Sequence, residues 1–128
     1  MLQELIEAAT REDWELVDGY IPEVCEDDNC LNWALGTGIN HQNEHIRDLA
    51  VSILEKTKKL PSFSKPRLYL AMRKDSNPYV QYHAAFALAA HYPLDKLDED
   101  VRRTLKEAVK DPDVSEIAKG YLTAVQKT

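Results

Sequence analysis

Two cysteines and two histidines stand at intervals that suit a metal: four residues separate Cys25 from Cys30, ten separate Cys30 from His41, and three separate His41 from His45. Two thiolates and two imidazoles are a sufficient tetrahedral set for zinc. The central span is about two residues shorter than a two-Cys two-His finger uses, the apolar residues of a finger are missing, and Asp27 and Asp28 add negative charge beside the thiols. The expectation is therefore ordinary thiols and loop-proximal histidines, with zinc on Cys25, Cys30, His41 and His45 as the alternative. The string His41-Gln42-Asn43-Glu44-His45 also fits an H-x-x-E-H pattern, in which two histidines hold zinc from one helix face and the glutamate activates water. That chemistry needs both histidines on one helix. Asn43 suits a helix N-cap instead, which separates them across a helix start. The chain shows no phosphate-cradling glycine loop and no serine elbow, and His83 and His91 sit in an alanine-rich stretch that suits packing. No enzyme and no cofactor are expected.

What positions these residues is a repeat. Asn77 to His91, NPYVQYHAAFALAAH, reads as a helix capped by Asn77, opened by Pro78 and packed along Val80, Ala84, Ala87 and Leu88. Small alanines let neighbouring helices approach closely. Ile46, Val80 and Val114 recur at intervals of 34 residues, as do Ala50, Ala84 and Ala118, and Leu54, Leu88 and Leu122. Such a period marks stacked helical units.

Around this frame the chain reads as helix throughout. Leu2, Leu5, Ile6 and Ala9 predict a first helix; Thr10, with Asp13 three residues on, predicts the cap of a second, carrying Trp14, Val17 and Ile21 and stopped by Pro22. Asp28 or Asn29 caps a third, with Leu31, Trp33, Ala34 and Leu35, ended at Gly36-Thr37-Gly38. A fourth spans roughly 44–58 with Ile46, Leu49, Ala50, Ile53 and Leu54 inward, and a proline-punctuated connector leads to a fifth with Leu68, Leu70, Ala71 and Met72. Tyr92-Pro93 closes the sixth. Leu94, Leu97, Val101, Leu105, Ala108 and Val109 make the seventh, and Asp111-Pro112 starts the eighth, with Val114, Ile117, Ala118, Tyr121, Leu122 and Val125. No strand is expected, and eight helices with short links predict four antiparallel pairs.

The second helices, Ile46-Arg47 with Ala50 and Leu54, Val80-Gln81 with Ala84-Ala85, Ala87 and Leu88, and Asp111-Pro112-Asp113-Val114 with Ala118 and Leu122, resemble HEAT-like repeats of the short bacterial and archaeal kind, also seen in phycobilisome-lyase-type proteins. The tetratricopeptide signatures that share this period are absent. The resemblance covers 43–128, with 1–42 as an atypical helical pair or cap, and implies a single all-α domain, a HEAT-like α-solenoid over 1–128. It also implies that the second helix of each pair lines a concave face where partners bind. On that face fall Arg47, Asp48, Val51, Ser52 and Glu55, then Gln81, Tyr82, Ala85, Phe86 and Ala89, then Ser115, Glu116 and Lys119. Tyr82 and Phe86, four apart, share one helix side and form the expected aromatic anchor, flanked by Arg47, Asp48, Glu116 and Lys119.

Composition points the same way. Of the 128 residues 44% are hydrophobic, enough for a continuous core, and no apolar run is long enough to span a membrane. An acidic opening without a basic flank and apolar stretch predicts no export signal. Two cysteines are too few for a disulfide framework and fit the cytoplasm. The net charge is −6, yet residues 1–42 hold ten acidic residues against one basic, whereas 56–74 hold no acid at all. An acidic end and a basic middle suit a dipolar protein partner or a second copy. The acidic total argues against nucleic acid, for which 56–74 is the one candidate segment. The function expected is a non-catalytic protein-binding adaptor.

Overall fold

The computed structural model describes residues 1–92 and 98–126. They form helices α1 (Leu2–Thr10), α2 (Trp14–Val24), α3 (Asp28–Trp33), a π turn (Ala34–Gly38), α4 (Glu44–Lys56), α5 (Ser64–Lys74), α6 (Pro78–His91), α7 (Glu99–Val109) and α8 (Ser115–Gln126). Among the described residues there is no strand. Pro93, Leu94 and Leu97 lie outside the described residues, as does the side chain of Val125.

Local chemistry sets the starts of α4 and α6 and the end of α6 where the sequence places them. Asn43 Oδ1 accepts the backbone N–H of His45 at 2.8 Å, and Asn77 Oδ1 that of Tyr79 at 2.8 Å. Asp111 Oδ1 does the same for Asp113 at 3.0 Å. The three accepting side chains are 34 residues apart in the sequence; those of Asn43 and Asn77 cap α4 and α6.

Other boundaries shift. Thr10 ends α1 rather than capping α2; its hydroxyl donates to Ile6 O at 2.7 Å, because Ala8 and Ala9 are fully buried and carry the helix on. Glu12, at φ 61°, then turns the chain and Asp13 caps α2 by accepting from Leu16 N. Pro22 does not stop α2. It sits in the last turns, where one missing N–H is cheap against the burial of Val24 and Cys25. Asp27, not Asp28 or Asn29, caps α3. The glycines do not end the coil at Gly36; the backbone widens, with Ile39 N bonding Ala34 O at 2.9 Å. Helix α4 stops at Lys56, two residues early, as Thr57 turns to extended backbone. Residues 111–114 form a turn before α8 rather than its first turn.

Helix α6 is the hub. It packs against α4, α5, α7 and α8, and this explains why it is apolar nearly all round: Val80, Ala84, Ala85, Phe86, Ala87 and Leu88 have no exposed surface. Its alanines remove the side-chain bulk that would hold those neighbours away. Along the chain α2 packs on α4, α4 on α6, and α6 on α8. One continuous core runs from Leu5 to Ala118.

Candidate binding groove

Residues from α2, from the whole length of α4, from the first half of α6 and from the start of α8 and the turn before it enclose a groove of about 790 Å³. Its walls are Trp14 and Ile21 from α2 on one side and Val114 and Ile117 at α8 on the other. Ile117, which periodicity assigns to the core, is 43% exposed. Six carboxylates line the groove (Glu12, Asp18, Glu44, Asp48, Glu55 and Asp113) against one lysine, Lys56, and two histidines, His45 and His83.

The floor is a polar cluster between α4 and α6. His83 Nδ1–H donates to Asp48 Oδ1, and Ser52 Oγ lies 3.4 Å from the same nitrogen. Burial by itself lowers the His83 pKa, but the hydrogen bond and charge of Asp48, with Glu55 and Asp18 behind it, outweigh burial and raise it. Glu55 accepts from Tyr121 Oη at 2.8 Å and pairs with Lys56 at 3.4 Å. Burial, then the Glu55 charge, pushes the Tyr121 phenol up. Asp18 on α2 is raised as well, by burial above all; the His83 charge opposes the rise, Asp48 adds to it and Lys56 opposes it. A serine, a histidine and an aspartate thus meet, but on one ring nitrogen. A proton relay needs serine and aspartate on opposite nitrogens, so the cluster is an ion pair with a hydroxyl beside it and not a hydrolytic triad.

The expected aromatic anchor needs correction. Phe86 is fully enclosed, its ring stacked on Tyr121 with centroids 5.4 Å apart and edge-on to His83 at 5.5 Å. Helix α6 has neighbours on nearly every side, so the turn that faces outward in an ordinary second helix is roofed here by α8. Tyr82 is half-buried and meets Tyr79 edge-on at 6.0 Å. Val51, Ala85 and Ala89 are buried too. Asp48 is nearly enclosed by its pairing with His83. Arg47 is committed elsewhere: it holds Asp75 through Nε and Nη2 at 2.8 and 3.1 Å and donates to the carbonyls of His41 and Gln42. Glu116 and Lys119 are exposed and face each other at 3.7 Å.

The cysteine and histidine set is dispersed among other contacts. Among the described residues no three His, Cys, Asp or Glu side chains come together as a metal-binding group. Cys25 and Cys30 are buried free thiols whose pKa values burial raises. His41 Nδ1 accepts the backbone N–H of Asn43, while His45 meets Trp14 edge-on and lies 3.8 Å from Glu12. The basic segment 56–74 is likewise spoken for in part. Arg73 pairs with Asp98 and Asp100 at 2.6 and 2.7 Å, and Arg67 donates to Leu35 O at 2.8 Å.

The repeat period itself carries a signal for the groove. His45, Tyr79 and Asp113 occupy equivalent places in the 34-residue repeat, and all three line it. Comparison with protein-family models, with curated proteins and with solved structures finds no match for this chain.

Proposed function

We propose that this chain is a non-catalytic protein-binding adaptor, a short HEAT-like α-solenoid of four helical pairs whose inner face, made by α2, α4, α6 and α8, carries the docking site. One observation carries the reading: a single open groove of about 790 Å³ touches all four of those elements and combines apolar walls with fixed polar groups. The packing of α2 on α4, α4 on α6 and α6 on α8 supports a solenoid, since each stacked unit buries the face its neighbour leaves open. Among the described residues no helix is long and apolar enough to cross a membrane, and two buried free thiols suit the reducing cytoplasm as the place of action.

The contact face shifts from the Tyr82 and Phe86 pair to Ile117, Trp14 and the carboxylates between them, with Glu116 and Lys119 as exposed flanks. A photo-crosslinking amino acid placed at Ile117, and separately at Lys106 on the exposed side of α7, tests this in cells that make the protein. The expected result is a discrete protein adduct from position 117 and none from 106. No adduct from 117, or equal adducts from both, overturns the adaptor reading.

A further inference from the structure

We infer that the occupant of the groove is a cationic peptide segment of the partner, carrying Lys or Arg side chains beside at least one aliphatic residue. The inference rests on reading the groove as the docking face. Its charge decides the class of partner. Asp48 is matched by His83, and Glu55 by Lys56 and the Tyr121 hydroxyl. The remaining four carboxylates have no lysine or arginine partner among the described residues. Glu12 meets only His45, at 3.8 Å; Glu44 accepts from the neutral Asn77 amide at 3.2 Å; Asp113 accepts from the neutral Tyr79 phenol at 3.0 Å; Asp18 forms no ion pair.

The apolar walls decide between a peptide and a small polyamine. Trp14 and Ile21 face the groove from one end and Val114 and Ile117 from the other. A polyamine answers the carboxylates but leaves Ile117 in water; a segment that alternates cationic and aliphatic side chains satisfies both. An anionic ligand meets net repulsion along the whole length. Steering by four carboxylates that have no lysine or arginine partner among the described residues also makes binding sensitive to salt.

The test uses the full chain and two fluorescein-labelled peptides, Leu-Arg-Lys-Leu-Arg-Lys-Leu and its counterpart with Glu at every cationic place, followed by fluorescence anisotropy. The basic peptide is expected to saturate and to weaken several-fold between low and physiological salt, and the acidic peptide not to bind. Glu44→Gln with Asp113→Asn keeps an oxygen to accept from Asn77 and Tyr79 while removing both charges, and weakens the basic peptide by about fivefold at low salt. Ile117→Ser weakens the basic peptide but leaves spermidine binding unchanged, and Glu107→Gln on α7 changes neither. Unaltered binding by the charge-neutralised variant overturns the inference, as does an Ile117→Ser variant that binds the peptide like the parent, which would assign the groove to a polyamine. A groove that crosslinks to a protein yet ignores the basic peptide refutes the cationic segment alone and leaves the adaptor reading standing.

Discussion

Arg47 on α4 grips Asp75, in the turn before α6, with two N–H···O contacts of 2.8 and 3.1 Å, and both side chains are largely withdrawn from water. Asp75 Oδ1 also accepts the backbone N–H of Asn77 at 2.9 Å, so the ion pair fixes the residue that caps α6. The third guanidinium nitrogen holds the carbonyls before α4. Gln81, one repeat later, repeats half of this by donating to Asp75 O at 2.7 Å. Removing one partner leaves the other buried and uncompensated, a cost of about 3 kcal/mol. Urea unfolding is expected to show that loss for Arg47→Ala and for Asp75→Ala, less than the sum for the double variant, and little rescue by Arg47→Lys, which lacks the planar fork. Additive losses would mean the two side chains act separately.

The His83 and Asp48 pair predicts how stability follows pH. Folding raises the pKa of His83 above its ordinary 6.5, because Asp48, Glu55 and Asp18 outweigh the effect of burial. The charged ring is thus favoured in the folded state, and its contribution is complete below 6.5 and is lost as pH rises through the folded value. Urea midpoints measured from pH 6 upward are expected to fall in the parent and to lose most of that slope in His83→Gln. Asp18 works in the opposite sense to a salt bridge: its raised carboxyl is harder to ionise in the folded chain, so Asp18→Asn is expected to stabilise the protein at pH 7 and to lower the His83 pKa seen by NMR titration. A higher His83 pKa in that variant would contradict the cluster.

Phe86 and Tyr121 give a test of core against surface. Phe86 has no exposed area, so Phe86→Ala is expected to cost about 3–5 kcal/mol. Tyr82→Ala, on the half-buried side of α6, costs distinctly less. Tyr121→Phe keeps the stacked ring but takes the donor from the buried Glu55, a loss of about 1–3 kcal/mol. Thermal or urea denaturation that ranks Tyr82→Ala above Phe86→Ala would put the aromatic side chains the other way round.

What the sequence makes legible is local. Asn43 and Asn77 announce their helices because a short side chain that accepts a nearby N–H is useful at a helix start and costly inside. The period of 34 follows from matching apolar residues. It does not say how many neighbours each helix has, and that is where the expected site moved. Phe86 on an amphipathic second helix would face outward, but α6 is enclosed by four helices and buries it. His83 and Asp48 are 35 residues apart, and only the stacking of α4 on α6 brings them together. Ile117 fits an apolar stripe as well as any core residue does, yet it is one of the exposed large apolar side chains. The ion pairs of Arg47 and Arg73, linking positions 28, 25 and 27 residues apart, are equally silent in the sequence.

Gly38 and Gly36 differ in a way that the sequence Gly-Thr-Gly does not disclose. A methyl group on Gly38 would stand 2.8 Å from the Ala50 Cβ and 2.9 Å from the Trp33 ring, whereas one on Gly36 meets nothing within 4 Å. Neither glycine has a positive φ, so the requirement at Gly38 is space alone. Ala50 is fully buried on α4, and its Cβ is fixed to the backbone. Only the half-buried Trp33 can yield, and one clash would remain. Gly38→Ala therefore forces the π turn away from α4, at a cost of about 1–3 kcal/mol. Gly36→Ala is expected to be neutral or slightly stabilising, since it restricts the unfolded chain without crowding the folded one. Paired urea titrations of the two variants decide it: equal effects would mean that the π turn is not seated against α4 through Gly38. A further variant, Gly38→Ala with Ala50→Gly, removes the contact from the other side and is expected to recover part of the loss, reduced by the weaker helix propensity of glycine within α4.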